Sequence, residues 1–193
     1  MATFLFSDTI FGPVISRRLG ISLGVNLLPT QSKFCNFNRI YCECGWTLHK
    51  TTPQFPTREL VYSLLKETLQ KRHAAGEKLD VITFAGNGEP TIHPHFPEII
   101  DDTLALRDAY FPEARVVVLS NATMLHNPKV SAALKRVDQA ALKLDSAIEE
   151  TMRLIDGPQM PLTVEKIVER LLAFGHDYTL QTLFLTGVYD GKV

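Results

Sequence analysis

The sequence predicts a single α/β domain built on parallel strands, and three observations lead to it. Short apolar runs rich in β-branched residues alternate with longer segments of helical periodicity from about residue 20 onward. The strand runs recur at intervals of about 25 to 40 residues, the spacing of parallel strands joined by right-handed helical crossovers. No Ser/Gly-rich linker, repeat or low-complexity stretch interrupts the 193 residues, so 1–193 read as one domain.

The first strand is Ile21 to Leu27, stopped by Pro29. Thr57 to Ala75 places Leu60, Val61, Leu64, Leu65 and Leu69 on one helical face, with Gly76 as its C-cap. Val81 to Ala85 is the second strand and runs into Gly-Asn-Gly. Pro97 marks the first turn of the following helix. Arg115 to Leu119, with three consecutive valines, has the composition of a parallel strand buried on both faces. Asn127-Pro128 is an N-cap and first-turn pair, and Ala140 to Leu144 is the fourth strand. Val164, Ile167, Val168, Leu171 and Leu172 form an amphipathic helix between the cap Thr163 and the stop Gly175. Thr179 to Leu185 is the fifth strand.

Charge and composition narrow the function classes. Twenty Lys and Arg balance twenty-one Asp and Glu, for a formal charge of −1. That excludes a generic polyanion binder but not a shaped pocket for one particular RNA. No apolar run reaches the roughly 18 residues of a membrane span. The opening MATFLFSDTIFGPV has no basic n-region and no small-residue cleavage site, so a cytoplasmic chain away from membranes is expected.

In parallel α/β sheets ligands gather at the C-terminal ends of the strands, and the unusual residues of this chain follow strands there. All three cysteines, Cys35, Cys42 and Cys44, lie in the loop after the first strand. An odd number at such tight spacing rules out a secreted disulfide framework. Metal or redox chemistry is one reading, and three compact buried residues is the other. Gly86, Asn87, Gly88 and Glu89 follow the second strand. The glycines would let a ligand approach bare backbone and permit positive φ, and the carboxylate could hold an ammonium group. The plainer alternative is a tight turn with a solvated Glu. Ser120 and Asn121 follow the third strand, and Lys143 and Asp145 close the fourth.

Cys35-x3-Arg39-x2-Cys42, with Tyr41 before its last cysteine, resembles the Cys-x3-Cys-x2-Cys loop of radical S-adenosylmethionine enzymes, its middle cysteine replaced. Gly-Asn-Gly-Glu-Pro-Thr at 86–91 is similar to the glycine-rich motif of that superfamily. Ser16-Arg17-Arg18-Leu19-Gly20, Ser22-Leu23-Gly24-Val25-Asn26, Leu119-Ser120-Asn121-Ala122-Thr123 and Leu142-Lys143-Leu144-Asp145 match one branch. That branch holds the wyosine-type tRNA-modifying enzymes and uncharacterised bacterial iron–sulfur oxidoreductases. The resemblance implies a partial (β/α)6 barrel. It implies a [4Fe-4S] cluster on three loop cysteines and S-adenosylmethionine chelated to the open iron. Reductive cleavage would then give a 5′-deoxyadenosyl radical acting on an unknown substrate, RNA among the candidates, with an electron donor as a further partner. Carried onto this chain, Cys35 and Cys42 become cluster ligands. Gly86, Asn87, Gly88 and Glu89 hold the methionyl ammonium, Ser120 and Asn121 contact ribose or carboxylate, and Tyr41 lies beside the adenine. Lys143 and Asp145 complete the rim.

Two departures shape the expectation. A guanidinium stays protonated and has no free lone pair, so Arg39 cannot ligate iron, and the cluster is expected to be lost or incomplete. Cys44 offers itself as a substitute, non-native ligand, although two residues past Cys42 on the same face of an extended segment it lies several ångströms from the lost position. A zinc site on Cys35, Cys42, Cys44 and His49 departs from structural zinc spacing. The chain also stops at Val193, shortly after the fifth strand, where the resemblance implies a sixth strand and helix. The barrel is therefore expected to be truncated, with Thr179 to Leu185 an open edge prone to self-association. A non-catalytic remnant that binds S-adenosylmethionine or RNA is the alternative reading. His93 and His95 read as solvated loop imidazoles rather than metal ligands, and Trp46 as packing under the cysteine loop.

Overall fold

The computed structural model describes residues 4–47, 52–184 and 186–187. Its sheet follows chain order: β1 (Ile10–Ser16), β2 (Gly20–Val25), β3 (Val81–Phe84), β4 (Arg115–Ser120), β5 (Gln139–Lys143) and β6 (Thr179–Gln181). From β2 to β6 every pairing is parallel, and β1 joins β2 antiparallel. The α-helices among the described residues are α1 (Arg58–Ala74), α2 (Phe96–Tyr110), α3 (Pro128–Leu134), α4 (Glu149–Asp156) and α5 (Val164–Phe174). This is the α/β class expected, an open and mostly parallel sheet.

The predicted caps form. Thr57 accepts from the Leu60 amide, Asn127 from that of Lys129 and Thr163 from that of Lys166, each satisfying an orphan donor of a first helical turn. Gly175 ends α5 in the left-handed region. At the end of α1 the cap is Ala75, with Gly76 one residue beyond it.

Three elements differ from expectation. β1 was not anticipated, because Gly12-Pro13 breaks its pattern. The strand tolerates them as a sheet edge, with a register shift between Phe11 and Val14. Gly24 of β2 leaves the space that the Phe11 ring fills. α4 is only eight residues long and was missed. The last strand ends at Gln181 rather than Leu185. The Leu183 amide donates to the Asp145 carboxylate at 2.9 Å and the Thr182 hydroxyl to Leu144 O at 2.8 Å, which takes the chain off the ladder. Leu185, the segment 188–193 and His49 lie outside the described residues. No helix among the described residues is long and apolar enough to cross a membrane.

The two faces of the sheet do different work. Leu23, Val25, Ile82, Phe84, Val116, Val118, Ala140 and Leu142 point to the helices and pack with Leu65, Leu69, Ile99, Ile100, Ile167 and Leu171 into the core. The alternate positions, among them Ser22, Gly24, Thr83, Ala85, Ala141 and Gln181, line an open cavity of about 420 Å³ on the other face. Strand parity thus separates folding residues from cavity residues.

Candidate active site

The cysteine loop closes onto the β3 loop through backbone. Phe34 pairs with Gly88 in an isolated bridge, Phe34 N donating to Asn87 O at 2.9 Å and Glu89 N to Phe34 O at 3.2 Å. A Cβ on Gly88 would stand 1.9 Å from Phe34 O, and one on Gly86 would stand 2.3 Å from Asn26 Oδ1. The glycines are therefore required first by the chain's own close approach, a role the sequence reading had given to a ligand. Gly88→Ala should lower stability by about 1–3 kcal/mol, because the clash is with backbone that cannot rotate away. Chemical denaturation checks this, and an unchanged midpoint would show that the bridge is not tight.

Cys35, Tyr41, Cys42, Gly86, Gly88, Glu89, Ser120, Asn121 and Lys143 line one cleft of about 270 Å³ at the C-terminal ends of the strands, and Arg39 lines it with them. The sequence had named all of these except Arg39 as site residues. Asn87 and Asp145 are employed differently. The Asn87 side chain points to the N-terminal segment, accepting from Phe6 N at 2.8 Å and donating to Phe6 O and Pro29 O at 2.9 Å each. Asp145 is buried beneath the rim, where it takes the Tyr41 hydroxyl, the Leu183 amide and, at 3.4 Å, the Lys143 ammonium.

Glu89 is buried, not solvated. Its Oε1 accepts from Thr91 N at 3.2 Å, Thr91 Oγ1 at 2.5 Å and Ser120 Oγ at 2.8 Å, while Oε2 accepts from Asn121 N at 2.6 Å. Burial pushes its pKa up, and these donors only partly offset that cost. The carboxylate thus ties the β3 loop to the end of β4.

Arg39 is held by carboxylates from two elements. Its Nε lies 2.5 Å from Asp156 Oδ1 and 3.3 Å from Asp145 Oδ2, and its guanidinium carbon sits 4.7 Å from the centre of the Phe37 ring. Asp156, at the end of α4, was not read from the sequence. Asn38 N donating to Gly157 O and Ile40 N to Ile155 O, both at 3.0 Å, bring α4 against the loop. Burial raises the Asp156 pKa to about 6, against the pull of Arg39. Burial also works against ionised Asp145, but the Tyr41 hydroxyl and Leu183 amide outweigh it and keep its pKa low.

The thiols divide. Burial and the neighbouring Glu89 raise the Cys35 pKa, and Asn121 Nδ2 donates to its sulfur at 3.7 Å. Cys42 carries the thiolate character of its pair, because the Cys44 thiol hydrogen-bonds to it and the Lys33 ammonium stands nearby. Cys44 Sγ also lies 3.7 Å from Gly86 O, a second acceptor within reach of the same proton. Only Cys35 and Cys42 face the cleft, and the third position holds a cation without a lone pair. Among the described residues no group of three His, Cys, Asp or Glu is placed to hold a metal ion. The residues present do not fit a four-iron cluster.

Two neighbours need correction. His93 is buried rather than solvated, its Nε2 donating to Pro56 O at 2.8 Å and its Nδ1 accepting from His95 N at 3.1 Å. Both nitrogens are used, so the ring is neutral and structural. Trp46 is half exposed instead of packed under the loop.

The profile of the Radical SAM superfamily matches residues 31–193. A UPF0026 protein of Helicobacter pylori is 35% identical over 187 residues, which cover 94% of this chain and 58% of that protein. The chain thus spans well under two thirds of that relative's length. Among solved structures, anSMEcpe with bound AdoMet superposes with a TM-score of 0.57 at 17% identity, over 82% of this chain and 42% of that one. Archaeal TYW1 superposes at 0.52 and 14% identity, over 86% and 56%. At those identities the structures speak for the fold alone, and the family match carries the assignment. The chain belongs to the radical SAM superfamily, whose cofactors are a [4Fe-4S] cluster and S-adenosylmethionine.

Proposed function

We propose that this chain is a radical SAM protein in which radical generation is disabled at the cluster, while the cleft for S-adenosylmethionine is retained. The observation that supports it is Arg39, set in the middle ligand position and held by Asp156 at 2.5 Å and Asp145 at 3.3 Å. A buried cation paired with two carboxylates is a settled part of the fold and does not vacate its place for iron. The ammonium side of the cleft persists in Glu89, Ser120 and Asn121. An RNA substrate and an electron donor belong to the reaction of a complete cluster, and follow only where one assembles.

Anaerobic reconstitution with ferrous iron and sulfide tests the reading. The expected result is iron well below four per chain and no 5′-deoxyadenosine under reduction, with Arg39→Cys gaining iron. Stoichiometric four-iron loading of the unaltered chain, with reductive cleavage of S-adenosylmethionine, would overturn it.

A further inference from the structure

We infer that Arg39 binds the carboxylate of the ligand's amino-acid group, so that the cleft takes S-adenosylmethionine or a related adenosyl amino acid without iron. The inference rests on the proposed retention of the cleft and names the group that anchors the ligand there.

Arg39 is only partly used by the protein. Its Nε serves Asp156 and Asp145, whereas Nη2 is buried with no hydrogen-bond partner among the described residues. A buried guanidinium nitrogen left without an acceptor is costly, and a carboxylate is its best complement. Nη2 itself is out of contact with solvent, so an acceptor not supplied by the protein reaches it only as the Arg39 side chain, which lines the cleft, turns toward it. On the same cleft Glu89 offers the opposite capacity. Among the described residues its Oε2 takes a single hydrogen bond, from Asn121 N at 2.6 Å, and a carboxyl oxygen that only accepts has room for a second. One under-used donor group and one under-used acceptor on a shared wall match the two ends of an α-amino acid zwitterion. Tyr41 and Leu119 supply apolar surface beside them for the rest of the ligand.

The two cations lining the cleft are both paired with carboxylates, Arg39 with Asp156 and Asp145 and Lys143 with Asp145 at 3.4 Å, so what the cleft offers is the free hydrogen-bonding capacity of these groups rather than net charge. Lys143 Nζ also stands 5.1 Å from the centre of the Tyr41 ring.

Calorimetric titration of metal-free protein with S-adenosylmethionine, S-adenosylhomocysteine and decarboxylated S-adenosylmethionine separates the possibilities. The first two are expected to bind, and the decarboxylated sulfonium about ten- to a hundredfold more weakly, the worth of a charge-assisted hydrogen bond. Arg39→Gln, its fold checked by thermal melting, should lose that discrimination. Equal affinity of the unaltered chain for the carboxylated and decarboxylated compounds overturns the role of Arg39 and leaves the retained cleft standing. Discrimination that persists in folded Arg39→Gln does the same. Absence of binding by all three compounds overturns the retained cleft, and the inference with it.

Discussion

Arg39→Leu should cost this chain about 3–5 kcal/mol of stability, more than most single substitutions in its core. The change removes the cation and leaves Asp145 and Asp156 buried side by side. The loss has a predictable pH dependence. The folded pKa of Asp156 is raised to about 6, so its contribution is full at acid pH and is lost as pH climbs through 6. Asp145 is depressed, so its contribution holds above the ordinary carboxylate range and is lost only as pH falls through its lowered value. Without Arg39 the Asp156 pKa climbs further, and the deficit of the variant should grow between pH 5 and pH 8. Urea denaturation at those two values checks this; an equal deficit at both would show that Asp156 is not ionised against Arg39. Arg39→Cys removes the same counter-charge, so restoring the missing thiol should also destabilise the apo chain.

Glu89→Ala is the second large effect, about 2–5 kcal/mol. It deletes the acceptor of the Thr91 and Asn121 amides and of the Thr91 and Ser120 hydroxyls at once. The hydroxyls can turn elsewhere, but the two buried amides cannot, and each orphaned donor costs on the order of 1–3 kcal/mol. Glu89→Gln keeps the Oε1 acceptor and sets an amide NH2 against Asn121 N, so its cost should be smaller. Calorimetric melting of the pair distinguishes them, and a wild-type melt for Glu89→Ala would show that this carboxylate holds nothing together. Ligand-binding losses in Glu89→Ala cannot be ascribed to a missing ammonium contact until that melt is known.

Much of this was legible in the sequence, and the exceptions have physical causes. Parallel strands buried on one face by helices and on the other by a cavity read as continuous apolar runs, and β2 to β5 were found that way. Thr57, Asn127 and Thr163 announced helix starts because a cap is a local device. The rim residues were found because strand ends in a parallel sheet converge. What escaped depends on distance along the chain. Asp156 stands before Gly157-Pro158 and reads as a helix end, and its pairing with Arg39 spans 117 residues. The burial of Glu89 and His93 is likewise decided by partners from other loops, Asn121 and Ser120 for one and Pro56 for the other. Gly12-Pro13 hid β1 because a single sequence gives no sign that a strand lies at an edge.

The alternation of the strands between helix-facing and cavity-facing positions also bears on how such a chain changes over generations. Leu23, Ile82, Val116 and Ala140 specify the wall; Ser22, Thr83 and Ala141, one step along, specify what the wall encloses. Selection on folding and selection on chemistry therefore act on interleaved but separate letters. A lineage can vary the second set, or the side chain at a rim position, and keep a heritable scaffold on which a different reaction can be built.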